Sequence, residues 1–109
     1  MLSVMVQSKA LKRLIRKVTI ETLWLYIARI LHDSEPMKAY DVKKKLQEVF
    51  NINPPTITVY TVVYRMNKEG LLDTIRIGGE VLYKLSDRGR KEFYEALEFL
   101  EKLVDKLKI

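Results

Sequence analysis

Apolar side chains recur at helical spacing over most of this chain and alternate with polar ones over two short stretches. An apolar stripe with a period near 3.6 residues predicts a half-buried helix, and strict alternation predicts a strand. Strands are expected at 74–77 and 81–85, and Gly78-Gly79 between them permits the positive backbone angles of a tight hairpin. Helices are expected at 9–18, 19–34, 37–50 and 54–69 and from residue 86 to the end of the chain.

Local signals define the ends of these elements. Thr19 or Glu21 is expected near the start of the second helix, and Pro36 follows its end. Gly70 is expected to stop the 54–69 helix in a left-handed conformation, and Ser86 to cap the last helix. The apolar side of the 37–50 helix is expected to comprise Met37, Tyr40 or Ala39, Val42, Leu46, Val49 and Phe50.

The order of three helices, a hairpin and a further helix is that of a winged helix-turn-helix. The predicted fold class is therefore mainly α with a small β-hairpin (α+β), with a long C-terminal dimerisation helix and an extra basic N-terminal helix. The predicted organisation is a basic amphipathic helix at 1–18, a winged-helix DNA-binding domain at 19–85 and a coiled-coil-like dimerisation helix at 86–109.

The helix at 54–69 has the composition of a groove-reading helix. Pro54-Pro55 precede it, and Thr56 or Thr58 is expected to cap it. Its buried stripe is expected to be Val59, Val62, Val63 and Met66, and the other side carries hydroxyls, tyrosines and cations with no acid before Glu69. Because so many of its residues are β-branched, tertiary packing must impose the helix.

Hydroxyls and cations of this kind contact phosphates, and arginine can bond guanine through two hydrogen bonds. The wing at 74–85 carries two further cations that could reach the DNA backbone or could simply discourage edge-to-edge aggregation. The candidate DNA-binding residues are Lys38, Thr56, Thr58, Tyr60, Thr61, Tyr64, Arg65, Lys68, Arg76 and Lys84.

The last helix carries apolar residues at spacings of four, three, four and three, the pattern of a short coiled coil. A helix that is apolar along one side must be covered, and a second copy is the preferred cover, with folding back onto the N-terminal helix as the alternative. The candidate dimerisation residues are Phe93, Leu97, Leu100, Val104 and Leu107.

Net charge is +6, and residues 1–20 hold five bases and no acid. This favours a polyanionic partner. The apolar stripe of the 9–18 helix leaves three roles open: packing on the domain or a partner subunit, contact with the DNA backbone, or association with a membrane surface. No apolar stretch approaches the roughly 18 residues that a membrane span requires, so no membrane insertion is expected.

With 109 residues the chain can bury one core, and with no cysteine it lacks disulfides, thiolate nucleophiles and cysteine zinc ligands. His32 is the one imidazole and is expected at the surface near a helix end. No catalytic constellation or phosphate loop is present in the sequence, so neither an enzyme nor a cofactor or metal is expected. Trp24 is expected near the rim of the core or at a subunit contact, because its indole N–H needs a partner or water, and Tyr26 is expected in the core. An effector pocket lined by the two is the alternative. The expected location is cytoplasmic, on the nucleoid when bound to DNA.

Two segments resemble the PadR-like winged-helix transcriptional regulators. TVYTVVYRMNKEGLL at 58–72 resembles that family's T-L-Y-x-L-L-x-R-L-x-x-x-G-L-[IL] pattern, and LYKLSDRGRK at 82–91 resembles its Y-x-L-[ST]-x-x-G pattern. The resemblance covers residues 22–105 and implies dimerisation through the C-terminal helix and repression by operator binding, with Thr58, Tyr60 and Arg65 near DNA. The family's H-G-Y-E-L pattern is present here only as KAYDV at 38–42, so no role of its His-Gly pair carries over.

The sequence thus predicts a homodimeric regulator that binds double-stranded DNA with helix 54–69 in the major groove and wing 74–85 on the backbone. Two alternatives remain: a protein-interaction module on a winged-helix scaffold, and a nonspecific chromosomal DNA-coating protein. The operator and any small-molecule effector are not indicated.

Overall fold

Five helices and a two-stranded antiparallel hairpin make up the part of the chain that the computed structural model describes, residues 6–109. This confirms the predicted α+β fold class; residues 1–5 of the predicted N-terminal helix segment lie outside the described range. The elements are α1 (Lys9–Lys17), α2 (Leu23–Ser34), α3 (Ala39–Phe50), α4 (Thr56–Lys68), β1 (Leu72–Ile77), β2 (Glu80–Leu85) and α5 (Asp87–Leu107).

The core lies where α2, α3 and α4 meet, and its side chains come from the apolar stripes of these three helices. The most deeply buried are Leu23, Ile27, Leu31, Val42, Leu46, Val59 and Val63. Each such burial stabilises the fold by about 1.5–3 kcal/mol. Tyr26 is half-buried with its ring edge on Phe50, 5.1 Å between centroids, and burial raises its pKa.

Helix α4 forms although its sequence favours a strand, because Val59, Val63 and Met66 are buried on one side of it. The predicted bounds, 54–69, were too wide, since the helix begins at Thr56 and ends at Lys68. The predicted threonine cap was wrong. Pro55 occupies the N-cap position, and no side chain caps the helix. The proline ring fixes φ at −56°, which sets the direction in which the chain enters α4.

Two other predictions about helix boundaries and faces were wrong. Helix α2 begins at Leu23 with Thr22 at its N-cap, two residues after Glu21 and four after Thr19, because residues 19–22 form turns in which the Thr19 hydroxyl donates back to the Ile15 carbonyl. On α3, Tyr40 and Val49 are 55% and 58% exposed. Ala39 packs on the core instead of Tyr40, the second of the two options that the sequence left open.

The hairpin follows α4 through Gly70, whose φ of +80° is the predicted left-handed stop. Ile77 pairs with Glu80, so Gly78 and Gly79 form a two-residue loop. Their φ values of +58° and +81° confirm the predicted turn chemistry.

Helix α5 starts against the end of α4. The Ser86 hydroxyl oxygen accepts a hydrogen bond from the Gly89 amide at 3.0 Å, as predicted, and the hydroxyl also donates to the Gly70 carbonyl at 2.6 Å. A Cβ on Gly89 would lie 2.1 Å from the Leu71 carbonyl oxygen, so this position requires glycine because of close packing.

Within residues 6–109, no helix has the length and apolarity needed to cross a bilayer.

Candidate nucleic-acid interface

The solvent side of α4 carries neutral and basic side chains and no acidic one. Ile57, Tyr60 and Tyr64 are 76%, 44% and 59% exposed, and Thr61 and Lys68 are exposed beside them. We call these five residues the outer face of α4. No acidic residue occurs between Thr56 and Lys68. Helix α4 itself therefore places no carboxylate on this face, although Glu69 directly follows Lys68 and Glu80 of β2 lines a depression together with Tyr60.

Hydrogen bonds within α4 limit what its polar groups can offer. The Thr61 hydroxyl donates to the Ile57 carbonyl at 2.8 Å, so its oxygen remains available only as an acceptor. The Lys68 ammonium lies 5.6 Å from the centroid of the Tyr64 ring, within the range of a cation–π contact. The Lys68 ammonium is thus held near the Tyr64 ring at the C-terminal end of the outer face.

One flank of α4 faces the start of α3 and the wing. Tyr60 lines a depression of about 300 Å³ together with Tyr40 of α3 and Tyr83 of β2. At its rim, the Lys38 ammonium lies 2.8 Å from a carboxylate oxygen of Glu80, and this hydrogen bond is the main reason that the pKa of Lys38 is raised. Lys38 is therefore at the predicted helix start, paired with an acid of the wing.

The opposite flank of α4 faces the start of α2. A groove of about 720 Å³ beside Trp24 is lined on the α4 side by Ile57, Thr58, Thr61 and Arg65, among others. Thr58 and Arg65 therefore lie away from the depression that Tyr60 lines, whereas Ile57 and Thr61 of the outer face border the groove. The structure therefore divides the predicted DNA-contact residues between two flanks. Thr56 is exposed at the first position of α4.

The two predicted wing cations occupy opposite faces of the hairpin. Arg76 pairs with Val81, and Lys84 pairs with Asp73. Since successive residues of a strand point to opposite faces, Arg76 shares a face with Tyr83, and Lys84 shares the other face with Leu82. One flat DNA backbone segment cannot contact both cations from the same side of the wing.

The structure adds three residues to this surface that sequence reasoning did not select. Tyr40, one of the two options for the core side of α3, is exposed beside Tyr60, and Ile57 is exposed at the N-terminal end of the outer face. Glu80 follows the Gly-Gly loop directly. The helical period alone could have placed Ile57 beside Thr61 and Tyr64, whereas the Glu80–Lys38 pair depends on tertiary structure.

His32 links two helices instead of standing alone at a helix end. Its Nε2 is 2.6 Å from the Tyr94 hydroxyl of α5, and its Nδ1 is 3.1 Å from an Asp33 carboxylate oxygen. A hydrogen bond from Arg29, and then one from His32, lowers the pKa of Asp33. Among residues 6–109 no cluster of three or more histidine, cysteine, aspartate or glutamate residues could hold a metal ion.

No protein-family model matches the chain, and no curated protein matches it. Solved structures do share its fold. A PadR-like transcription factor from Bacteroides fragilis has a TM-score of 0.68 at 22% identity over 91% of this chain and 96% of its own. A transcriptional regulator from Clostridium thermocellum has a TM-score of 0.67 at 18% identity, over 93% and 97% of the two chains.

A winged-helix DNA-binding protein from STIV has a TM-score of 0.67 at 16% identity, over 79% of this chain and 94% of its own. At these identities the likeness concerns the fold. The chain has a winged-helix fold in which α2, α3 and α4 are the three core helices and β1–β2 is the wing.

Proposed function

We propose that this chain is a homodimeric regulator of transcription that binds a specific double-stranded DNA sequence, most simply as a repressor. Helix α4 enters the major groove with its outer face, and the wing lies along the flanking backbone. The observation that carries the proposal is the acid-free outer face of α4, held out to solvent by a three-helix core. A winged helix offers this helix to DNA.

The chemistry of the outer face suits a duplex. Ile57 can contact a thymine methyl group, and the Thr61 oxygen can accept a hydrogen bond from a base amine. Tyr60, Tyr64 and Lys68 can donate to phosphate oxygens, which fixes the position of the helix in the groove. We place Arg65 and Thr58 at the edge of the contact, beside Ile57 and Thr61, because all four line the groove next to Trp24 and neither Arg65 nor Thr58 reaches the Tyr60 side of the helix.

Dimerisation is proposed to use the last three turns of α5. Leu97, Leu100, Val104 and Leu107 are 37%, 38%, 48% and 74% exposed in the single chain. Pairing these side chains with a second copy would remove them from water. A twofold axis would then place two α4 helices on half-sites about 34 Å apart.

Two structural relatives, a PadR-like transcription factor and a winged-helix DNA-binding protein, support DNA binding as the function. The proposal of repression rests on the sequence resemblance to the PadR-like regulators.

A salt titration of DNA binding tests the function. For a protein that neutralises Z phosphates, the logarithm of the binding constant falls against the logarithm of salt concentration with a slope of about −0.9Z. We expect a steep slope for the wild type and a slope shallower by about 0.9 for Lys68→Ala. Lys106→Ala, at the far end of α5, is the matched control and should leave the slope unchanged.

Footprinting on the DNA around the chain's own gene, with random duplex as competitor, would locate the binding site. Preferential protection of one palindromic site supports the proposal. Equal affinity for random duplex indicates nonspecific coating, and absence of binding at low salt indicates a protein-interaction module.

A further inference from the structure

The depression beside Tyr60 continues the outer face of α4 towards α3 and the wing. It measures about 300 Å³, and three tyrosines, Tyr40, Tyr60 and Tyr83, contribute to its walls. Tyr40 and Tyr60 are 55% and 44% exposed. Among the described residues that line it, Lys38 carries the positive charge and Glu80 the negative one. The depression therefore combines phenol side chains with a single ion pair.

This chemistry suits a phosphate group. Tyrosine hydroxyls and lysine ammonium groups donate hydrogen bonds to DNA phosphates whatever the base sequence. The Lys44 ammonium adds positive charge on the same side of α3, since it lies 5.7 Å from the centroid of the Tyr40 ring. A duplex whose backbone passes from α4 to the wing would bring a phosphodiester group to this depression.

In the free protein, however, Lys38 already has an acceptor. Its ammonium lies 2.8 Å from a carboxylate oxygen of Glu80, and this hydrogen bond is the main cause of the raised pKa of Lys38. The Lys38 and Glu80 side chains are 46% and 55% exposed, so solvent screens the ion pair and an incoming anion can reach it. A phosphate oxygen that binds Lys38 must take the place of the Glu80 carboxylate.

The position of the wing does not depend on this ion pair. The Met37 amide donates to the Tyr83 carbonyl at 2.9 Å, and the Tyr83 amide donates to the Met37 carbonyl at 2.7 Å. These two backbone hydrogen bonds hold β2 against the segment before α3. Glu80 lies further out, at the first residue of β2. Opening the Lys38–Glu80 pair therefore changes the charge at the depression and leaves the wing in place.

We propose that the depression is a phosphate subsite of the DNA interface and that Glu80 competes with the phosphate for Lys38. On binding, the Lys38 ammonium exchanges a carboxylate oxygen for a phosphate oxygen. Glu80 is then left as an unpaired acid beside the duplex, which lowers the affinity. Because phosphates carry no sequence information, this cost is the same for a preferred site and for random duplex. The inference rests on the proposed function, since it assigns a role within the same interface.

A double-mutant cycle in duplex binding tests the competition. Glu80→Gln keeps the size of the side chain and removes its charge, so we expect the dissociation constant at low salt to fall about fivefold. In a Lys38→Ala background the same substitution should lower the constant by less than about twofold, because no ammonium remains to be released. The gain should be equal on a preferred site and on random duplex.

Asp73→Asn is the matched control. It removes the same charge from the wing, but Asp73 lies about 13 Å along β1 from Ile77, the residue that pairs with Glu80. This distance exceeds the Debye length of about 10 Å at 0.1 M salt, so at that salt the control should change the dissociation constant by less than about twofold. All three side chains are exposed, and urea denaturation of each variant checks that the fold is retained.

Three results would overturn the competition. Weaker binding by Glu80→Gln would show that the ion pair positions the wing. An equal gain with and without Lys38 would show that Glu80 acts through the overall charge of the protein. Unchanged binding by Lys38→Ala would mean that no phosphate reaches the depression. If the wild type binds no duplex at low salt, the proposed function fails together with the subsite, whereas binding by the wild type without a gain from Glu80→Gln overturns only the subsite.

Discussion

The two halves of α5 share one apolar period but differ in what covers them. Phe93, the first residue of the predicted seam, is 3% exposed, whereas Leu97, Leu100, Val104 and Leu107 are 37% exposed or more. The structure therefore places Phe93 in the core of its own chain instead of at a subunit contact. The spacing of apolar residues identifies the side of a helix that must be covered, but it does not say by what.

The first half is anchored by contacts to the segment after α4 and to Glu35, the residue after α2. The Ser86 hydroxyl donates to the Gly70 carbonyl, and Gly89 lies directly on the Leu71 backbone. Arg90 forms an ion pair with Glu35, whose carboxylate also accepts the Leu85 amide at 2.9 Å. The second half, from Leu97 onward, has no comparable anchors among the described residues.

Substitutions in the two halves of α5 should therefore change different measured quantities. In the first half they should change the free energy of unfolding of the chain, and in the second half they should change its assembly. A variant that moved both quantities equally would contradict this division.

Gly89→Ala should have the largest effect. Alanine normally stabilises a helix interior relative to glycine by about 1 kcal/mol. Here the new Cβ would lie 2.1 Å from the Leu71 carbonyl oxygen, a backbone atom that cannot rotate away. We expect the free energy of unfolding to fall by about 3 kcal/mol or more, measured by urea denaturation of the protein at fixed concentration.

Lys91→Ala is the control for this experiment, since Lys91 is exposed in the same turn of α5. It should change the free energy of unfolding by less than about 0.5 kcal/mol. A Gly89→Ala protein as stable as the control would show that α5 does not pack on the end of α4 in this way.

The glycine conformations and the serine cap, each determined by a few adjacent residues, could be predicted from the sequence, whereas the predicted threonine cap of α4 was wrong. Gly70, Gly78 and Gly79 adopt the positive φ angles that their positions indicated, and Ser86 caps α5. Each depends on local backbone geometry, which is encoded within about four residues.

Features that depend on neighbouring helices could not be predicted. A small rotation of α3 decides whether Tyr40 or Ala39 faces the core, and the periodicity of apolar residues does not resolve a rotation of that size. The division of α4 into a Tyr60 flank and an Arg65 flank depends on where α2 and the wing lie. Sequence reasoning therefore selected a helix for the DNA interface but grouped residues from both flanks as one contact set.

Leu100→Asp should have the next largest effect, on assembly. Leu100 is in the predicted seam and 38% exposed in the single chain. If a second copy covers it, a charge there loses about 1.5–3 kcal/mol of apolar burial and adds a desolvation cost. We expect the dimer dissociation constant to rise about a hundredfold, at about 1.4 kcal/mol per tenfold, as measured by sedimentation equilibrium.

Lys102→Gln changes the net charge by the same amount on the other side of α5 and serves as the control. It should leave the dissociation constant unchanged. If Leu100→Asp also leaves the dissociation constant unchanged, the second half of α5 is not the dimer seam, and the two halves do not differ in the way proposed.

The smallest expected effects on the free energy of unfolding come from replacing the two serine caps. Ser86 caps α5 and Ser8 caps α1, each accepting a hydrogen bond from the amide three residues later, at 3.0 and 3.1 Å. Replacing a serine cap by alanine usually costs about 0.5–2 kcal/mol. Ser86→Ala also removes the donor to the Gly70 carbonyl, so we expect a loss of about 1–2 kcal/mol in the free energy of unfolding.

Ser8→Ala removes the same kind of bond from a helix that has no buried residue. At a concentration where the protein is monomeric, fraying of α1 should not change the unfolding of the core, so the free energy of unfolding should stay within about 0.5 kcal/mol of wild type. Equal losses from the two substitutions, measured by urea denaturation under these conditions, would mean that α1 is part of the cooperative core.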